Sequence, residues 1–201
     1  MSEPKKAEAV KLVASILFTE KKILYDALEN LSGAYGKTDF ISRSMPFSYT
    51  DYYYREMGFP IERRFVAFAG LIMPESLPDI KLRTNNIEKI FSHAGRRRVN
   101  IDPGYISRAH LILATGKSYA HRPYLRDGVY ADLTLIYTDR SFQTLPWTYP
   151  DYGEGNIREM LKRIRDKYVF QLKMGDSCSP AVNGAERFLN NSHARDFGHN
   201  E

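Results

Sequence analysis

The apolar positions of this chain change their spacing several times, and each spacing predicts a different element. Residues 11–18 form a short apolar run of the kind that a buried strand shows. Residues 19–36 then place apolar side chains three or four positions apart, which predicts a helix that ends at one of its last two glycines. The strongest strand signal is residues 62–73, which favour a central strand because both faces are apolar.

The same reading divides the rest of the chain as far as residue 173. Residues 37–58 alternate loosely, and Pro46 favours a strand that ends there or runs at an edge. Helical spacing returns in residues 74–95 and again in residues 155–173. Residues 96–137, which lie between these two predicted helices, read as several strands.

Two short sequences in the strand-rich part predict turns. Asp127-Gly128 is a dipeptide typical of a two-residue hairpin connection. Asp102-Pro103-Gly104 predicts a second turn, because proline fixes its own φ and glycine supplies conformational freedom.

The order of these elements is strand, helix, two strands, helix, several strands, helix. Consecutive hairpin strands with interspersed helices predict an α+β fold, with one mostly antiparallel sheet and about three helices packed on it. A ferredoxin-like core with added strands is one topology that fits. We therefore predict a single domain over residues 10–173, a flexible N-terminus over residues 1–9, and a polar tail over residues 174–201 whose composition permits disorder.

Composition narrows the classes of protein that fit. At 201 residues and 43% hydrophobic content, the chain can bury one core. A formal net charge of +5 suits an anionic small molecule as readily as nucleic acid. The single cysteine, Cys178, excludes an intrachain disulfide and a four-cysteine zinc site. The apolar run at residues 11–18 is too short to span a bilayer and has no cleavage pattern after it, so we expect a cytoplasmic protein without membrane attachment.

Residues 96–135 combine strand alternation with many groups able to do chemistry. Alternation places Asn100 and Asp102 on one face of a strand, opposite Val99 and Ile101. In the functional interpretation, the strand presents the Asp102 carboxylate to a cleft as a base or a metal ligand. In the alternative interpretation, Asp102 only builds the predicted turn.

His121 is the strongest candidate for acid–base chemistry, because the ordinary pKa of histidine lies near neutrality. Arg122 and Lys117 could bind a phosphate or a carboxylate, although an exposed edge with ordinary surface charges explains them equally well. Asp132 lies in the middle of a predicted strand and needs a partner. Its partner is His121 across the hairpin, Asp102 in a metal site, or, in a structural ion pair, Arg122 or an arginine from Arg96 to Arg98.

Trp147 and Asp151 lie in a loop stiffened by prolines. They predict either a wall of a ligand cavity, with Asp151 as its polar anchor, or a packed clasp that fastens the last helix to the sheet. Metal binding is the weaker idea, since the histidines and carboxylates lack ligand spacing such as H-x-x-x-H. The sequence indicates no particular cofactor and no metal ligand set.

A different class of function is an interaction with RNA or protein. The last predicted helix carries Arg158, Lys162 and Arg165 on one face, and residues 49–54 are rich in tyrosine. Phosphate contacts and base stacking would use such groups. No recognised nucleic-acid-binding motif accompanies them, and a charged stripe is usually the solvated face of an amphipathic helix.

Several ordered motifs together resemble an uncharacterised prokaryotic family, domain of unknown function 4416, and the resemblance runs from about residue 10 to residue 173. The motifs are PFSYTDYYYREMG, VNIDPGY, LATGKSYAHRPYL, GVYADLTLIY and LPWTYPDY. The resemblance implies no established activity and therefore no catalytic residues. Some members carry a GTP-binding label, but this chain has neither a G-x-x-x-x-G-K-[ST] loop nor a G-x-G-x-x-G motif after a strand.

Our leading hypothesis is a protein that binds an anionic small molecule, phosphorylated or nucleotide-like, in a cavity floored by one sheet face. Acid–base catalysis would use His121, Asp102 or Asp132. Ligand contacts would come from a wider set: Arg98, Asn100, Tyr105, Lys117, Arg122, Tyr130, Trp147 and Asp151. The alternative is a non-catalytic module that meets RNA or a protein through the basic C-terminal helix and the tyrosine-rich segment.

Overall fold

A computed structural model describes residues 3–175 as one antiparallel sheet with helices on both faces. The strands are β1 (Val10–Phe18), β2 (Thr38–Ile41), β3 (Met45–Pro46), β4 (Glu62–Ile72), β5 (Val99–Ile106), β6 (His110–Thr115), β7 (Tyr124–Arg126), β8 (Val129–Thr138) and β9 (Ser141–Thr144). The helices are α1 (Lys21–Tyr35), α2 (Tyr54–Met57), α3 (Leu77–Ile90) and α4 (Gly155–Met174), with short 3₁₀ turns at Asp51–Tyr53 and Pro74–Ser76.

The strand order is β2-β4-β1-β5-β6-β8-β7, with β3 beside β4 and β9 beside β8. The sequence β1-α1-β2-β4-α3-β5 forms a split β-α-β unit, and strands β6 to β9 extend it on one side. This confirms the predicted α+β fold with a mostly antiparallel sheet. The three predicted helices are present, and the fourth, α2, is a single turn.

Both faces of the sheet are covered at its centre. All nine residues of β1 are buried, because alternate side chains enter different hydrophobic clusters. Ile16 and Phe18 pack under α1 and α3, on what we call the helical face. Val13 and Leu17 point to the opposite face, where α4 and the segments 45–58 and 145–154 lie. We call this second face the cavity face.

The first strand and the last helix are fastened together by polar side chains. The fully buried Lys11 ammonium donates to Asp39 and to Gln171, at 2.7 Å in each case. The Tyr168 hydroxyl, on the predicted inner side of α4, donates to the carbonyl of Ala9 at 2.8 Å. A buried ammonium is tolerated here because it is paired with a carboxylate and hydrogen-bonded.

Several local predictions are confirmed, and some elements end at residues other than those predicted. The buried face of α1 is the predicted one, and the hairpin turn has positive φ at both Asp127 and Gly128. The helix predicted over residues 74–95 ends earlier, at Ile90. The predicted strand around His121 is wrong, because residues 116–123 form a loop and β7 begins only at Tyr124.

The turn predicted at Asp102-Pro103-Gly104 is also wrong, because all three residues lie inside β5. This strand pairs with β1 along its whole length, but it pairs with β6 only from Gly104 to Ile106. Its first half therefore has a strand on one side only. We call the opening between this half of β5 and the end of β6 the seam.

Proline and glycine are used in β5 for reasons other than turning. Residues two apart in a strand direct their backbone groups to the same side. Pro103 therefore faces the seam as Ile101 does, and its missing N–H leaves no unpaired donor there. Gly104 lies where β6 comes closest, since a Cβ at this position would be 2.7 Å from Leu113 Cδ2 and nearer still to the Ile112 carbonyl oxygen.

The chain termini were predicted to be a flexible segment over residues 1–9 and a polar tail over residues 174–201. Residues 3–9 contain no helix or strand, although Glu8 forms an ion pair with Arg108 at 2.7 Å. The predicted tail, with Cys178, lies outside the described residues except for Met174 and Gly175. Within residues 3–175, no helix combines the length and the apolar character needed to cross a membrane.

Candidate functional site

A cavity of about 650 Å³ opens on the cavity face at the seam. Its floor is formed by β1, β5, β6 and β8, and α3 contributes side chains from below the seam. Its walls are formed by segment 47–53, by residues 115–117 at the end of β6 and after it, and by the loop 149–152. This volume lies in the range of small-molecule sites.

A chain of hydrogen bonds fixes the Asp102 carboxylate on the floor. Arg97 is held by both carboxylate oxygens of Glu56, at 2.6 and 2.7 Å, and donates to the side-chain oxygen of Asn100 at 2.7 Å. Asn100 is thereby oriented to donate its amide to Asp102 Oδ2 at 2.8 Å. The side chain of Asp102 remains 36% exposed, so its other oxygen is accessible from the cavity.

Two side chains of α3 close the open edge of β5. The Glu88 carboxylate accepts the backbone N–H of Ile101 at 2.6 Å, and the Lys81 ammonium donates to the Ile101 carbonyl at 3.2 Å. Burial raises the pKa of the Glu88 carboxyl above its ordinary value, although Lys81 and the Ile101 N–H counteract this. The N–H and the carbonyl of Ile101 are thus both satisfied without a neighbouring strand.

Asp132 lies on the floor beside the seam and is 3% exposed. Arg122 donates to its Oδ2 at 2.8 Å, which is the structural ion pair that the sequence left open. His121 Nε2 lies 3.8 Å from the same oxygen and has no hydrogen-bond partner among the described residues. The imidazole stacks on Trp147, with ring centres 4.9 Å apart.

A second buried ion pair, between Arg63 and Asp151, forms the side wall. The Arg63 guanidinium lies over the rings of Phe47, Phe65 and Tyr152, at 4.6, 5.1 and 5.3 Å from their centres. Burial raises the pKa of the Tyr152 hydroxyl, so this tyrosine stays neutral. The wall therefore combines a neutralised charge pair with aromatic surface.

Lys117 lies at the rim of the cavity, in the loop after β6. Its ammonium is 4.5 Å from the centre of the Tyr52 ring. Tyr52 in turn packs edge-on against Tyr53, and burial raises the pKa of the Tyr53 hydroxyl. The rim thus presents one cation beside neutral aromatic rings.

Each charge that lines the cavity has an opposite charge close to it, with one exception. Within residues 3–175 the lining charges are Arg63, Lys81, Arg97 and Lys117, and Glu88, Asp102, Asp132 and Asp151. All of them except Lys117 have an opposite charge within 4.0 Å. Lys117 is therefore the lining charge that a ligand can neutralise without breaking an existing ion pair.

The structure brings some of the predicted site residues together and separates others. Those that line the cavity are Asn100, Asp102, Lys117, Asp132 and Asp151. Next to Asp132, outside the lining, lie Arg122, His121 and Trp147, whose indole N–H donates to the Leu133 carbonyl at 2.8 Å.

Three predicted ligand contacts lie elsewhere. Arg98 precedes β5 and pairs with Glu20 at 2.6 Å on the surface. Tyr105 has the opposite parity to Asp102 in β5, and it packs with the clusters of the helical face. Tyr130 packs against Tyr124 across the hairpin, with ring centres 5.2 Å apart, and is not part of the lining.

The sequence analysis missed the contribution of α3 to the cavity. Lys81, Asn85 and Glu88 all line it. They occur at positions i, i+4 and i+7 of a predicted helix, so they share one face. A polar stripe of this kind was the available signal, but solvated helix faces show it too.

The cations of α4, on which the hypothesis of RNA or protein binding depends, form contacts within the chain. Arg158 donates to the carbonyls of Gly153 and Phe142, at 3.1 and 3.0 Å. Lys162 pairs with Asp166 at 3.0 Å. Arg165 donates to the Arg108 carbonyl at 2.7 Å. Among the described residues, no cluster of three or more histidine, cysteine or acidic side chains could hold a metal ion.

Comparison with known proteins agrees with the resemblance noted above. No curated protein and no solved structure matches the chain. The sequence pattern of one family, described as a domain of unknown function (DUF4416), matches residues 8–168 and so includes every strand and residues 155–168 of α4. The chain therefore belongs to the DUF4416 family.

Proposed function

We propose that the protein binds an anionic small molecule, phosphorylated or nucleotide-like, in the cavity at the seam. The observation that carries this proposal is the charge pattern of the lining, where Lys117 alone among the described lining charges has no opposite charge within 4.0 Å. A phosphate or carboxylate at the rim would supply that charge. The proposal retains the cytoplasmic location expected from the sequence.

The aromatic wall supports a ligand with a ring or a compact apolar part. Tyr52, Tyr53 and Tyr149 line the cavity together with Phe47. Tyrosine gives flat contact area and a polar tip, and both suit a nucleotide-like molecule. Anion binding at the rim would therefore leave the body of the ligand between aromatic walls.

If the bound molecule is chemically changed, the proposal assigns general acid–base chemistry to Asp102. This carboxylate is accessible, and its orientation is fixed by Asn100 at 2.8 Å. Asp132 is already neutralised by Arg122, and His121 reaches the cavity only through Asp132. In this proposal His121 is a positioning residue.

The test is a thermal unfolding screen of the full chain against nucleotides, sugar phosphates and phosphorylated acids. A ligand at one hundred times its Kd stabilises a fold by about 2.7 kcal/mol. Because 1 kcal/mol moves the Tm of a chain of this size by about 2–4 °C, we expect a rise of about 5–10 °C.

The matched variants are Lys117→Met and Lys21→Met. Lys21 is an exposed lysine at the start of α1, on the helical face, and is not one of the lining residues. A charge-assisted hydrogen bond contributes about 1.5–3 kcal/mol, so Lys117→Met should remove most of the Tm rise at the same ligand concentration. If no anionic compound raises the Tm, or if both variants respond like the wild type, the proposal is wrong.

A further inference from the structure

A hydrogen-bond acceptor lies beside a donor where α3 meets β5 in the cavity, and we call this part, formed by Lys81 and Asp102, the deep end. Asp102 Oδ1 and the Lys81 ammonium are 3.5 Å apart, and both residues line the cavity. A lysine ammonium has three donors. Within the described chain Lys81 uses two of them in long contacts, to Asp102 and to the Ile101 carbonyl at 3.2 Å. One N–H therefore remains for a ligand.

The Asp102 carboxylate has one oxygen occupied and one available. Asn100 donates to Oδ2, and Asn100 is itself held by Arg97 at 2.7 Å. Oδ1 has only the distant Lys81 as a partner among the described residues. The available oxygen is thus held in a fixed direction by side chains that do not touch the ligand.

A hydroxyl group is the chemical group that fits this pair. It donates one hydrogen bond and accepts others, so a single hydroxyl oxygen could accept from Lys81 and donate to Asp102. A second anion at this depth would be repelled by Asp102, and a cation would be repelled by Lys81. Because the two charges neutralise each other, the deep end favours a neutral group that both donates and accepts.

We propose that the ligand is a phosphate monoester of a polyol, such as a sugar phosphate or a ribonucleotide. Its phosphate binds Lys117 at the rim, and one of its hydroxyls binds between Lys81 and Asp102 at the deep end. Arg97 and Asn100 are positioning residues for Asp102. This inference rests on the proposed function, because it takes the anion site at Lys117 as given.

The experiment measures Kd by calorimetry for pairs of phosphate monoesters that differ in hydroxyls. The probes are inositol phosphate beside cyclohexyl phosphate, and ribose 5-phosphate beside pentyl phosphate, with inorganic phosphate as a reference. We expect at least one hydroxylated member to bind roughly tenfold to a hundredfold more tightly than its hydroxyl-free counterpart, since the hydrogen bond involves a charged group.

Substitutions assign this preference to the deep end. Asp102→Asn and Lys81→Gln should each reduce the preference for the hydroxylated probe, measured as the ratio of its Kd to the Kd of its hydroxyl-free counterpart in the same variant. Asp79→Asn is the control, because Asp79 is an exposed aspartate of α3 outside the lining. Thermal unfolding without ligand checks that each variant is folded, and Asp102→Ser replaces Asp102→Asn if the latter is not.

The outcomes separate the two proposals. If phosphate monoesters bind and Lys117→Met weakens them, but hydroxyls and Asp102 make no difference, the polyol inference is wrong and the anion site stands. If no phosphate compound binds the wild type, both proposals are wrong. Hydroxyl selectivity that persists in Asp102→Asn and Lys81→Gln also overturns the inference, because it then arises elsewhere.

Discussion

Replacing Gly104 with alanine tests how closely β6 approaches β5 at the point where the seam ends and the pairing of the two strands begins. Gly104 is the first residue of β5 that pairs with β6, opposite Leu113. A Cβ at this position would lie 2.7 Å from Leu113 Cδ2, 3.1 Å from Leu113 Cα and closer still to the Ile112 carbonyl oxygen. The leucine side chain can move away, but the backbone atoms can do so only if the two strands separate.

The expected cost follows from these distances. Carbon atoms that are not bonded prefer separations of about 3.5–4.0 Å. The strands would therefore have to part by several tenths of an ångström, at the start of a pairing that runs only from Gly104 to Ile106. Overpacking costs about 1–3 kcal/mol, occasionally more, and we expect Gly104→Ala to lie near the upper end. The Tm should then fall by about 6–12 °C.

The control makes the same chemical change where there is room. Gly33 lies in α1, and a Cβ there would meet nothing within 4 Å. Alanine is a better helix former than glycine by about 0.5–1 kcal/mol, so Gly33→Ala should raise the Tm by about 1–4 °C. The assay is thermal and urea unfolding followed by circular dichroism. The reasoning fails if the two variants move the Tm in the same direction, or if Gly104→Ala unfolds within 1 °C of the wild type.

Two further predictions concern the buried charges. Burial raises the pKa of Glu88, so its contribution to stability is fully present below pH 4.5 and declines as the pH rises through the raised pKa. Glu88→Gln keeps an acceptor for the Ile101 N–H, so its stability relative to the wild type should rise between pH 4.5 and pH 7 in urea unfolding; a constant difference would contradict this. Asp151→Ala leaves the Arg63 charge buried and should destabilise the fold by about 3–5 kcal/mol, whereas Arg63→Met with Asp151→Leu should recover most of it; equal losses in both variants would contradict the ion-pair argument.

The parts of the fold that sequence could predict are those governed by local periodicity. The buried face of α1 and the hairpin at Asp127-Gly128 follow from side-chain spacing and from backbone preference, and both are read within a short window. The strand order β2-β4-β1-β5 could not be predicted in this way, because it depends on pairing between segments that are distant in sequence.

The missed parts depend on neighbours that are distant in sequence. Pro103 and Gly104 are typical turn residues, but here the position of β6 determines their roles. Pro103 lies just outside the pairing with β6, and Gly104 lies where β6 comes closest. The sequence positions of Lys81 and Glu88 are typical of the solvated side of a helix, yet both side chains bind the backbone of Ile101 at the seam. His121 was placed near Asp132 for a partly wrong reason, since a loop and not a strand brings it there.

The hydrogen bond between Lys11 and Gln171 has a consequence for biosynthesis, because 160 positions separate the two residues. The ribosome releases β1 first, yet its flanking strands β4 and β5 and its covering helix α4 are translated much later. A strand whose nine residues are all interior in the finished protein therefore spends most of translation without its partners. Nascent chains stalled before α4 should accordingly depend on chaperones more than released ones.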